Sequence, residues 1–193
     1  MKKIIIFGCL LCLFASCGKS DESEDEHDKS ETVLIKRLYD VKLPSYKGYS
    51  TYVLRVEDGR NLYLVRWKLG VDLHEGDKID IEISPYCACE IRKVNGVDFE
   101  RPEETDGAEA KTSRGLIASD PIETDIIDLF SMEFIQTIPL LPIPCYCIED
   151  EHGELLVVSK SKVSAELKVG DRIVYNVYTL YPNDVLMLKK LRD

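Results

Sequence analysis

Tyr52-Val53-Leu54-Arg55-Val56-Glu57-Asp58-Gly59-Arg60-Asn61-Leu62-Tyr63-Leu64 reads as a β-hairpin. Tyr52, Leu54 and Val56 alternate with their neighbours, Asp58-Gly59 supplies a strong short turn signal, and Leu62 and Leu64 resume the alternation. Downstream, Leu73-His74-Glu75-Gly76-Asp77 marks a further turn. Ile79, Ile81 and Ile83 then point one way while Lys78, Asp80 and Glu82 point the other, which predicts a strand with one wet face. Residues 33–43 offer an earlier strand and Glu90–Val97 a last one, so residues 32–99 hold about five short strands.

Moving the chain by 94 residues without a gap lays Tyr52 on Tyr146, Gly59 on Gly153, Leu62 on Leu156, Gly76 on Gly170, Asp77 on Asp171 and Ile79 on Ile173. The agreement falls at turn and core positions, where backbone geometry rather than a ligand selects the residue, and predicts two copies of one fold. The second copy spans 123–193; Ile126–Ile138 opens it, followed by a lead-in broken by Pro139, Pro142 and Pro144. Residues 100–122 are polar and read as the linker between the copies. Five short strands with a Leu-x-Glu-Gly-Asp or Leu-x-Val-Gly-Asp turn before the fourth resemble a small OB-like barrel. The expected class is therefore all-β, with two tandem OB-like barrels. The connection from Lys68 to Glu75 is too short for the helix many OB folds carry, so an SH3-like barrel or a small sandwich stays open.

Met1-Lys2-Lys3 is a short basic segment, and Ile4–Ala15 is apolar but too short to cross a bilayer as a helix. It reads as a signal sequence, residues 1–16. Leu13-Phe14-Ala15-Ser16-Cys17 sets two small residues before a cysteine, with Phe14 where an aliphatic residue is usual. This resembles a bacterial lipobox, which implies cleavage before Cys17 and lipidation of its thiol. Residues 17–31 follow as an acidic tether: 18–28 carry six acids and no large apolar side chain. A flexible tether of this length spans roughly 20 Å on average. An acidic run behind the lipid-bearing cysteine resembles the export region of Bacteroidetes-type surface lipoproteins, which implies an outer-membrane, lipid-anchored protein facing outward. Several acyl chains on one terminus hold a protein to a bilayer far more firmly than one does.

The chain carries a formal charge of −10, and −12 once Lys2 and Lys3 leave with the signal sequence. The excess of acid sits in the tether, the linker and the second copy; residues 33–99 are nearly balanced, with 11 bases against 10 acids. No basic stripe is available to displace counterions from a phosphate backbone, so no nucleic-acid partner is expected.

Three histidines, His27, His74 and His152, lie in the tether or at turns, none beside a nucleophile. No phosphate-cradling loop, metalloprotease histidine pair or serine elbow is present, and no cofactor is implied. Two Cys-x-Cys pairs, Cys87-Ala88-Cys89 and Cys145-Tyr146-Cys147, each place two thiols on one face of a strand. Disulfides between the pairs, buried inert thiols and a four-thiolate metal site are three competing readings. Tyr63, Val65 and Trp67 alternate on the face opposite Leu62 and Leu64. That face is one OB-like folds use for extended ligands; the alternative is that the trio packs against the linker or the second barrel.

The functional expectation is a non-enzymatic envelope module for binding or assembly, anchored in the lipid bilayer through Cys17, with an envelope protein or a glycan as partner. A thiol-based redox or metal-binding protein and a structural spacer are the alternatives.

Overall fold

The computed structural model describes residues 30–43, 50–66, 69–83, 88–99, 117–137 and 140–191. Throughout them the chain is all-β, in two sheets. Strands β1 (Ser30–Lys42), β2 (Ser50–Val56), β3 (Asn61–Val65), β4 (Lys78–Ile83), β5 (Cys89–Val94) and β6 (Val97–Asp98) form the first, in the order β3-β2-β1-β4-β5-β6. A parallel bridge from Tyr63 to Ala88 ties β3 to the start of β5. Strands β7 (Ile122–Thr137), β8 (Leu140–Asp150), β9 (Leu155–Ser159), β10 (Arg172–Tyr178) and β11 (Tyr181–Lys190) form the second, which closes on itself in the order β10-β11-β9-β8-β7.

The two hairpins read from Asp58-Gly59 and its distant match close in the same way. The Gly59 amide donates to the Val56 carbonyl and the Val56 amide to that of Arg60, each at 3.0 Å; Gly153, Asp150 and Glu154 repeat both bonds at the same distance. Gly59 and Gly153 sit at φ +88° and +78°, where a side chain would be strained. The turn before β4 is clasped by Asp77, whose carboxylate accepts the His74 amide at 2.8 Å, and that before β10 by Asp171, which accepts the Lys168 amide at 2.7 Å.

The expected alternation places side chains correctly, but on strands β2, β3, β8 and β9 neither face is fully wet. One set fills the sheet interiors: Ile35, Tyr52, Leu54, Leu62, Ile79 and Ile81 in the first, Ile126, Ile148, Leu156, Val158, Ile173 and Val185 in the second. The other set forms a third cluster between the sheets. Tyr39, Val41, Val53 and Tyr63 meet Phe130, Met132, Phe134, Cys147, Leu155 and Val157 there. Each such fully buried side chain contributes about 1.5–3 kcal/mol of transfer free energy, so the contact is a core rather than a touching of surfaces.

Three boundaries differ from the sequence reading. β1 begins at Ser30, three residues before the expected start at residue 33, because Ser30 and Glu31 pair with Glu82 and Ile81. The stretch expected to be a proline-broken lead-in is strand: β8 runs through Pro142 and Pro144, opposite Ile135 and Glu133. Both prolines precede the part of β8 that β9 covers, Cys145–Glu149, so their missing N–H groups face an edge that asks for no donor. The last linker residues also join the fold. Ala118 bridges Tyr178, and the Ser119 amide donates to the Val177 carbonyl at 2.8 Å.

Candidate functional site

Tyr63 does not stand on an open face. It lies on β3 between the sheets at 3 % exposure, its ring 4.9 Å from that of Phe134. Its hydroxyl accepts the Ile135 amide at 3.0 Å. The reason lies in the β7–β8 ladder. Ile135 faces Pro142, a pair that cannot exchange two N–H···O bonds, so the Ile135 amide points out of the hairpin and needs an acceptor. Val65 is half-buried, and Trp67 lies outside the described residues. Of the two readings of the trio, an open ligand face and packing against the second copy, Tyr63 follows the second: the long β7–β8 hairpin covers it.

Of the cysteines, Cys17 and Cys87 lie outside the described residues. Cys89 turns into the interior of the first sheet, whereas Cys145 and Cys147 lie between the sheets, so these three do not converge on one point. Cys89 and Cys145 carry thiols rather than disulfide sulfurs. Burial pushes both up to about 12, which keeps them protonated and poorly nucleophilic at neutral pH. Among the described residues no group of three or more His, Cys, Asp and Glu side chains is gathered to hold a metal ion. His74 is exposed with its ring beside Asp77, and His152 is exposed at the β8–β9 turn.

What the sequence reading missed is the polar half of the face between the sheets. Glu149, a β8 residue with a side chain 10 % exposed, pairs with Arg37 of β1 and accepts the Tyr39 hydroxyl at 2.6 Å. Burial, reinforced by that bond to Glu149, pushes the Tyr39 phenol up to about 12. Arg55 of β2 pairs with Asp128 of β7 and lays its guanidinium 5.0 Å from the centre of the Phe130 ring. At the rim, the Lys42 amide donates to Asn183 at 3.0 Å, and the Asn183 amide group donates to the Leu155 carbonyl at 2.8 Å. Arg37 and Glu149 are 112 residues apart, and no local pattern links them. The available signal was the run Leu155-Leu156-Val157-Val158, apolar at consecutive positions and so buried on both faces. Chemically the cluster is a set of satisfied ion pairs and hydrogen bonds whose work is to hold two sheets together.

Among the described residues no helix is long and apolar enough to cross a membrane. No family model and no curated protein matches the chain. Among solved structures, a crystal structure of the tetrameric p202 HIN2 is similar at 15% identity, covering 91% of this chain and 100% of that one, with a TM-score of 0.27.

Proposed function

We propose that the chain is a non-enzymatic, lipid-anchored envelope protein whose folded part is a rigid module for binding or assembly. The anchor is Cys17 at the outer membrane, facing outward, and the body is two OB-like barrels that are copies of one unit. The observation that carries the reading is the shared cluster between the sheets, which makes one stiff body out of two small ones. A stiff body on an acidic tether suits holding or assembling other molecules. Of the two partner classes, an envelope protein is favoured over a glycan, because Tyr63, one of the two aromatics of the expected ligand face, is spent inside.

The copy relationship is supported by the ladders. Arg37↔Arg55 and Tyr39↔Val53 in β1–β2 answer to Asp128↔Glu149 and Phe130↔Cys147 in β7–β8, and the bulge between Ile35 and Arg37 to one between Ile126 and Asp128. The offset is therefore 91 residues on the first strand and 94 on the second. It stays at 94 on the third, where Val53↔Tyr63 answers to Cys147↔Val157. The parallel contacts Tyr63↔Ala88 and Val157↔Asp184 place the last strand at 96. A repeat with small insertions in its connections fits these registers better than the ungapped one read from the sequence. Both units then run first-second-third-fifth-fourth-first around the sheet, with the third and fifth strands parallel, which supports an OB-like over an SH3-like topology.

Metabolic labelling of producing cells with an alkyne fatty acid tests the anchor. Label on the wild-type chain and none on Cys17→Ala is expected, and label retained on Cys17→Ala contradicts the reading.

A further inference from the structure

The face between the sheets has a symmetry of its own. Arg37 and Asp128 occupy equivalent positions, as do Arg55 and Glu149. Arg37 meets Glu149, and Asp128 meets Arg55. That is the reciprocity of a two-fold interface, in which position i of one partner meets position j of the other and j meets i. Tyr39 and Phe130, also equivalent, stand ring to ring across it at 6.5 Å between centres.

The charges on this symmetric frame are segregated. A self-pairing unit would carry one charge of each sign at the two positions. Here both cations are on the first half and both carboxylates on the second. Two first halves would set Arg37 against Arg55, and two second halves would set Asp128 against Glu149, like charges at sites that range from 10 % exposed at Glu149 to 47 % at Arg37. The aromatic pair follows the same division. The half facing Glu149 supplies a phenol, and Tyr39 donates to the carboxylate at 2.6 Å; the half facing Arg55 supplies a bare ring, and Phe130 receives the guanidinium at 5.0 Å.

We propose that this face is a quasi-two-fold recognition surface keyed by segregated charge, which accepts the opposite half of the chain and rejects a like half. The occupant in the structure is the second half of the same chain. A second half supplied by another copy offers the same residues, so the key is transferable between chains. The proposal rests on the reading of the two sheets as copies; it is independent of the anchor, since loss of acyl labelling would leave it standing.

Two charge-matched variants of the full chain test it. Arg37→Asp/Arg55→Glu makes both halves acidic at the key, and Asp128→Arg/Glu149→Arg makes both basic. Each alone is expected to lose the closed form, seen as a lower denaturation midpoint and binding of an apolar dye. Co-produced with different tags, they are expected to co-purify as a one-to-one dimer by exchange of halves, whereas two tagged wild-type chains do not. The quadruple variant, with all four charges exchanged, is expected to return to the wild-type mass and to a midpoint above that of either double variant, though below the wild type, since Tyr39 loses its carboxylate acceptor and Phe130 its cation. Double variants with wild-type midpoints that do not co-purify overturn the proposal. If the double variants fail to fold, the quadruple variant decides: recovery supports the key, and failure overturns it.

Discussion

Replacing Phe130 by Ala should cost about 3–5 kcal/mol, the range for emptying an aromatic ring from a closed core. The ring is 8 % exposed and belongs to the cluster shared by both sheets. Its removal also releases the Arg55 guanidinium stacked on it, whose attraction is worth about 0.5–1 kcal/mol at a partly exposed site and lies within that spread. Asp128 would keep its partner, so little further loss is expected from the ion pair. The neighbour Ile127 is 53 % exposed, and Ile127→Ala should stay within about 0.5 kcal/mol of wild type. Guanidinium titration of the three chains, followed by far-ultraviolet circular dichroism, gives both differences. Because the two halves share this cluster, Phe130→Ala should also broaden the transition or split it in two. A loss below about 1 kcal/mol, or one equal to that of Ile127→Ala, would refute the burial argument.

Other consequences are as specific. Thr51 is fully buried, and its hydroxyl has no hydrogen-bond partner among the described residues, so Thr51→Val should leave the melting temperature unchanged or raise stability by about 1 kcal/mol; a loss of that size would show the hydroxyl to be bonded. Asp150, 2 % exposed, accepts the His152 and Glu154 amides at 2.9 Å each, and Asp150→Ala should cost about 1–3 kcal/mol in the same titration. Burial raises the Cys89 and Cys145 thiols from 9.0 to about 12, so the unfolded chain releases these protons first. The stabilisation is complete below pH 9 and is lost as the pH climbs toward 12. Alkylation at pH 8.5 or so should accordingly be slow at both cysteines until denaturant is added, and equal rates in native and unfolded chains would contradict it.

Much of the strand plan was legible because turns and alternation are local. Asp58-Gly59 and Gly153 mark the hairpins they form, and Ile79 and Ile81 point inward as the period of two requires. The same parity put Leu62 and Leu64 inside and Tyr63 outside. What lies outside was not legible, since the group covering Tyr63 is a hairpin more than 70 residues away. The ungapped shift hid the equivalence of Arg37 with Asp128, because the first strand is offset by 91 residues and not 94, and without that equivalence the reciprocal ion pairs look unrelated. Pro142 and Pro144 read as breakers because a sequence does not reveal which side of a strand is an edge.

Exchange of the Ile135 amide proton bears most directly on whether the Tyr63 face is covered. Ile135 faces Pro142 at a position whose amide points out of its own ladder, and the Tyr63 hydroxyl accepts it at 3.0 Å. Measured by nuclear magnetic resonance in the native chain, strong protection that is lost in Tyr63→Phe, with the Val158 amide unchanged, is the expected result. Free exchange at Ile135 in the wild-type chain would mean that the two sheets do not close on one another and that Tyr63 is open to a ligand.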